Sequence, residues 1–190
     1  MQTRTLGIDG PVEFSALQFP DNRGNFAIWF EADTFEAVIG QPFPVAKTHH
    51  SVSKYGTIRG IHFTALPPGQ RKYVYCPKGR IFDVLVDLRV GSSTFGKTVS
   101  TTLSAELLNA IYIPEGIGHG FAALEEASVV SYMCTTPFDP RSEVEIDPFD
   151  ADLSISWPHF DTPILSERDA NAQSFREAAE RKYLPSVEDC

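Results

Sequence analysis

Phe82-Asp83-Val84-Leu85-Val86-Asp87-Leu88-Arg89 alternates along its length. Val84, Val86 and Leu88 fall on one face and Asp83, Asp87 and Arg89 on the other, the period-two signature of a half-buried β-strand. Working outward, comparable runs recur at Lys72–Cys76, Ile81–Leu88, Val99–Leu103, Ala110–Ile113 and Ser128–Cys134. Each is rich in β-branched or aromatic residues and is bounded by Gly, Pro or Ser, which predicts short antiparallel strands. So many closely spaced strands predict an all-β sandwich, barrel or jelly roll. Helix is scarce. Asp33 or Thr34 can cap a short turn that runs to Ile39 and stops at Gly40, and Ser174–Lys182 is a second, mostly charged candidate. The Pro-rich stretch Trp157–Pro163 reads as the exit from a barrel core spanning residues 45–157 into a C-terminal segment. With 190 residues, 42% of them hydrophobic, the chain can bury one good core, so residues 1–190 are expected to form a single domain.

Charge narrows the function. Twenty-five acids against 16 bases give a formal charge of -9, which opposes binding to nucleic acid or anionic lipid. A phosphate-bearing ligand therefore needs a local basic pocket. No stretch approaches the roughly 20 apolar residues of a membrane span, and the N-terminal residues lack a signal peptide's apolar core, so a cytoplasmic protein is expected. Cys76, Cys134 and Cys190 are odd in number and form no Cys-x-x-Cys pair, which suits reduced thiols.

The densest polar constellation lies in Lys47-Thr48-His49-His50-Ser51, Arg59-Gly60-Ile61-His62-Phe63 and Gln70-Arg71-Lys72-Tyr73. On neighbouring strands, alternation can aim Arg59, His62 and Lys72 into one cavity, where cations suit a diphosphate or a developing oxyanion. A solvated basic edge is the alternative. Pro114-Glu115-Gly116-Ile117-Gly118-His119-Gly120-Phe121 is either a Gly-rich bend that lets backbone approach a ligand or a turn with a surface His. A metal-binding barrel would need clustered His and a nearby acid. Here His62 has no second His two residues away, and the adjacent His49 and His50 point to opposite faces of a strand, so no metal site and no cofactor is expected. No Gly-x-Ser-x-Gly elbow and no Gly-rich phosphate loop occurs.

Along nearly its whole length the chain resembles the dTDP-4-dehydrorhamnose 3,5-epimerases and their relatives in antibiotic deoxysugar pathways. The carriers are Asp21–Phe26, Ser51–Phe63, Pro67–Val74, Asp83–Gly96, Glu115–Phe121, Tyr132, Pro140–Glu143, Trp157-Pro158 and Leu165–Asp169. Pro67-Pro68-Gly69-Gln70 and Glu115–Phe121 look closer to the secondary-metabolite branch. The resemblance implies a cupin-type jelly-roll β-barrel with short flanking helices and a metal-free epimerisation of a dTDP-linked 4-keto-6-deoxysugar at C3, C5 or both. It implies four catalytic roles. His62 removes the proton next to the C4 ketone, Asp169 orients and stabilises its imidazole, Lys72 stabilises the enolate oxygen, and Tyr132 returns a proton on the opposite face. Taken alone, Tyr132 reads as a core aromatic of an apolar strand, the more common fate of such a residue. For binding, the resemblance implies that Arg23 and Arg59 meet the diphosphate, that His119 reaches nucleotide or sugar, and that Phe26 and Phe138 sandwich thymine. Lys47, His49, Glu143 and Arg168 complete the expected substrate-binding set. A homodimer with N-terminal strand exchange is implied as well.

Several positions depart from the rhamnose enzymes. Ile28 stands in place of Glu, Lys47 and His49 in place of Gln and Asn, Thr64 in place of Gln, and Phe138 in place of Tyr. Exchanging neutral amides for a Lys and a His alters charge and hydrogen bonding beside the substrate, so the accepted sugar can differ at C2 or C3. The alternatives are a metal-dependent oxygenase or isomerase on the same barrel, and a sugar-nucleotide-binding protein without chemistry.

Overall fold

The computed structural model describes residues 1–190. Two sheets face each other. The first is ordered β1 (Gln2–Thr5), β2 (Val12–Ser15), β10 (Asn109–Ile113), β7 (Lys72–Lys78), β12 (Ser128–Cys134), β5 (Lys47–Ser53). The second is ordered β13 (Glu143–Glu145), β6 (Ile58–Thr64), β11 (Ile117–Ala123), β8 (Arg80–Asp87), β9 (Thr98–Ser104). Consecutive strands from β5 to β12 cross between sheets except at the β8–β9 hairpin, which makes the eight-stranded core a jelly roll. The strands expected between Lys72 and Cys134 are all present. So are three further core strands, β5, β6 and β11, and the catalytic candidates are carried mainly on β6, β7 and β12.

Three apolar clusters explain why the sheets stay closed. Between them lie Val74, Ile81, Leu85, Ile111, Phe121 and Val130, among others, all nearly inaccessible to solvent. The outer face of the second sheet is covered by the C-terminal segment, whose Ile146, Leu153, Ala178 and Leu184 pack on Ile61, Phe63, Val84, Val86 and Leu88. The outer face of the first sheet is covered by Phe35 of α1 (Ala32–Ile39) and by Phe43, packed on Phe14, Tyr73, Ala110 and Tyr112. Burying a large side chain in such a cluster contributes about 1.5–3 kcal/mol, so each cover stabilises the sheet it protects.

Double coverage corrects the half-buried reading of Phe82–Arg89. Val84, Val86 and Leu88 do share a face, but Asp83, Asp87 and Arg89 opposite are buried too. They are tolerated because they are paired. Arg89 donates from Nε and Nη2 to the two Asp87 oxygens, both at 2.9 Å, and Ser92 and Thr94 each donate to Oδ2 at 2.6 Å. Burial alone would raise the Asp87 carboxyl, but these donors lower it to about 2. The Gly-rich stretch before Phe121 is likewise no surface turn. From Ile117 it is strand β11, buried throughout.

The helices are short, as expected, with one correction. The N-cap of α1 is Glu31, not Asp33 or Thr34, and it makes no side-chain capping bond, while Gly40 closes the helix at φ 83°. The second candidate shortens to α3 (Phe175–Glu180), with Ser174 and Glu177 forming a reciprocal capping box. A one-turn helix, α2 (Glu167–Ala170), was not legible. No helix is long and apolar enough to cross a membrane. A hairpin, β3 (Leu17–Asp21) with β4 (Gly24–Ile28), belongs to neither large sheet.

Candidate active site

One mouth of the barrel opens as a cavity of about 240 Å³ between the two sheets. Alternation on β5 sends Lys47, His49 and Ser51 into it while Thr48 and His50 face away, as expected for adjacent histidines on a strand. Strand β6 contributes Arg59 and His62, β7 contributes Lys72, β11 contributes His119, β12 contributes Tyr132 and β13 contributes Glu143, with buried Gln70 and exposed Phe138 completing the lining. The basic constellation is therefore a pocket wall and not a solvated edge.

His62 and Asp169 form the most sharply defined pair. Nε2 of His62 lies 2.5 Å from Oδ1 of Asp169, with the imidazole side chain 37% exposed and the carboxylate 3%. Asp169 is held at both ends: Ser166, the N-cap of α2, donates from Oγ to its Oδ2 at 2.9 Å and accepts from its backbone N–H at 3.1 Å. Burial alone would raise the Asp169 carboxyl, but the hydrogen bonds from His62 and Ser166 and from the Gly60 backbone hold it below its ordinary value. An ionised carboxylate only accepts, so Nε2–H of His62 is the donor and Nδ1 keeps its lone pair as a base.

Strand spacing around His62 depends on glycine. Gly60 has a φ of 118°, and a Cβ there would stand 2.5 Å from the Cα of Gly120 on β11. The bare backbones let β6 and β11 close up, which sets His62 directly across from His119.

Tyr132 stands on the opposite sheet from His62. Burial raises its phenol above the ordinary tyrosine range, so it is a neutral donor at neutral pH. The His49 ring lies flat against it, with centroids 4.5 Å apart and 14° between planes, and His119 meets it edge-on at 6.1 Å. Lys72, at the start of β7, has its ammonium lowered by burial, an effect that nearby Glu143 partly opposes. Burial also lowers His49, helped by the charges of Lys47 and Lys72. The Lys47 ammonium sits 5.1 Å over the Phe138 ring, and Glu143 accepts from Thr64 at 3.2 Å.

A second imidazole–carboxylate pair was not assigned from sequence. His119 Nε2 lies 2.8 Å from Asp83 Oδ2, both fully buried, and they meet diagonally across β11 and β8. Burial raises the Asp83 carboxyl despite the imidazole beside it. An acid amid the apolar run Ile81–Val86 was the available signal for it. Ser51 and Gln70 also line the cavity without having been assigned roles. No three His, Cys, Asp or Glu side chains stand close enough to share a metal ion.

Three expected binding residues lie elsewhere in the chain. Arg23 is at the tip of the β3–β4 hairpin, highly exposed and ion-paired with Asp21 at 2.6 Å, and Phe26 is on the same hairpin, equally free of the cavity. Arg168, next to Asp169 in sequence, pairs with Glu145 in a separate open cleft and does not line the cavity.

The dTDP-4-dehydrorhamnose 3,5-epimerase family model matches residues 5–177. The chain is 44% identical over 190 residues to the dTDP-4-dehydrorhamnose 3-epimerase of Streptomyces niveus, covering 100% of this chain and 91% of that one. It superposes with TM-score 0.97 and 44% identity on a 4-keto-6-deoxy sugar epimerase from the novobiocin biosynthetic gene cluster of Streptomyces spheroides, over 100% of this chain and 95% of that one. A 3'-monoepimerase from Streptomyces bikiniensis, solved in complex with dTDP-quinovose, matches at TM-score 0.93 and 38% identity, over 97% of this chain and 93% of that one.

Proposed function

The chain belongs to the dTDP-4-dehydrorhamnose 3,5-epimerase family, and from that premise we propose that residues 1–190 act as one epimerase unit on a dTDP-linked 4-keto-6-deoxyhexose. The observation that carries the proposal is the placement of a base and an acid on opposite walls. The oriented imidazole of His62 is on one sheet, the neutral phenol of Tyr132 is on the other, and the Lys72 ammonium lines the same cavity. Inversion needs that arrangement, since a proton must leave one face of a carbon and return to the other.

In this reading Nδ1 of His62 takes the proton from a carbon flanking the C4 ketone, and Asp169 stabilises the resulting imidazolium. The electron pair moves onto the ketone oxygen, where Lys72 stabilises the enolate. Tyr132 then donates to the opposite face of the same carbon. C3 and C5 both flank C4, so the same groups serve either. The cavity is smaller than the roughly 300–1,000 Å³ of sites that enclose drug-sized ligands. It suits the hexose, with the nucleotide lying across the open side near Arg59 and Phe138. His119 and Glu143 contact the sugar end, and Lys47 and His49 give the β5 wall a character suited to acceptor groups on C2 or C3.

A homodimer with exchanged N-terminal strands accounts for the hairpin. Leu17, Phe19 and Phe26 are 44%, 47% and 66% exposed on a two-stranded ribbon, a form with little stability of its own. Packed against a second copy, it would bring Arg23 and Phe26 to the partner's nucleotide. Three free thiols, Cys76, Cys134 and Cys190, suit the reducing cytoplasm.

The test is proton NMR of dTDP-4-keto-6-deoxyglucose incubated with chelator-treated protein in deuterium oxide. Loss of the C3 or C5 signal with no added metal, abolished in His62→Ala, is expected and names the inverted carbon. An unchanged spectrum over hours would overturn this substrate.

A further inference from the structure

His49 and Tyr132 are direct partners across the β5–β12 ladder. The pairing puts the imidazole flat over one face of the phenol ring, while the other close ring, His119, touches it only edge-on. The hydroxyl oxygen of a tyrosine lies on the axis of its terminal torsion, but that torsion is broad and the O–H bond prefers the ring plane, so a ring without a flat neighbour swings its proton through a range of directions. With His49 in place that range narrows on the cavity side, where the hydroxyl has to meet a carbon. His49 belongs to the edge strand and is itself exposed, so it supports little of the core. Its removal would take away the flat contact with the ring and one polar group of the cavity wall.

We propose that His49 is a positioning residue for Tyr132, holding the phenol at the tilt from which it protonates the enolate on the face opposite His62. The inference rests on the epimerase reading above. Once His62 has removed the proton, the enolate has two fates. Either Tyr132 gives its proton to form the new C–H bond, leaving a phenolate and an imidazolium that water resets, or His62 returns a proton and the original configuration is restored. Because His62 is partly open to solvent, the returned proton can be a solvent one. The ratio of the two fates then depends on how well Tyr132 is aimed, and on this view His49 sets it.

The ratio is measurable in deuterium oxide as label in recovered starting sugar against inverted product. His49→Ala is expected to raise the ratio about tenfold, a readout that compares two fates of one bound enolate and so does not depend on any change in KM, and His49→Phe, which restores a flat ring without imidazole chemistry, is expected to bring it back toward the parent value. Thermal melting and near-ultraviolet circular dichroism confirm that each variant is folded. An unchanged ratio in folded His49→Ala, including the case where exchange and inversion fall together, overturns the proposal. So does failure of His49→Phe to restore the ratio. Absence of any exchange in the parent protein would instead overturn the epimerase reading itself.

Discussion

Lys72 and Tyr132 are pushed in opposite directions by the same low-dielectric surroundings. Burial lowers the ammonium and raises the phenol, so on the alkaline side Lys72 loses its charge while Tyr132 still holds its proton. The activity lost as pH rises is therefore charge on Lys72, and the basic limb of kcat is expected below the ordinary lysine value. Lys72→Arg keeps the charge and should move that limb upward, whereas Lys72→Met should lower kcat about 10²–10³-fold, the usual effect of removing an oxyanion donor. A pH–rate profile of the three proteins checks both. At this scale much of the cavity was legible, because His62, Lys72 and Tyr132, singled out through the resemblance, all line it and Asp169 pairs with His62. Asp83 was not, since its partner lies 36 residues away and only the β8–β11 pairing reveals it. Arg168 shows the converse: neighbours on a helix point about 100° apart, so adjacency to Asp169 does not bring Arg168 to the same cavity.

Strand β11 shows what a sequence pattern conceals at the level of elements. Gly116, Gly118 and Gly120 gave it the look of a loop, yet Gly118 and Gly120 sit where a Cβ would meet Ile61 at 2.7 Å, and Gly120 also closes against the β6 backbone. Glycine there is a packing requirement between strands, which looks identical to a turn signal when neighbours are unknown. Period-two reading of β8 had a related fault, because alternation reports two faces but not whether both are covered. The β6–β11 contact can be probed directly. Gly60→Ala combines an unfavourable backbone angle with a 2.5 Å approach to Gly120, and it is expected to cost about 1–3 kcal/mol of stability. Denaturant unfolding measures that loss, and if folded protein remains, its kcat should fall because His62 is displaced from its partners.

On the scale of the molecule, the exposed hairpin is the part a single copy leaves unexplained. Phe19 and Phe26 pair on it with ring centroids 6.1 Å apart and no core beneath them. A double Phe19→Ser, Phe26→Ser variant is expected to sediment as a monomer where the parent sediments as a dimer. Its dTDP affinity should fall at least tenfold by calorimetry, as expected when aromatic anchors leave an interface. Neither feature could be read from one chain's residue pattern without the family resemblance, since a partner leaves no periodicity. The position of β5 has a different consequence. His62, Lys72 and Tyr132 are carried on interior strands, where a substitution disturbs neighbours on both sides. Lys47 and His49 reach the same cavity from the rim strand of their sheet, largely uncovered on the outside. Selection could therefore work on β5 at little expense to folding, so that lineages could diversify in the sugar they accept and in how fully they invert it while the base stays on an interior strand.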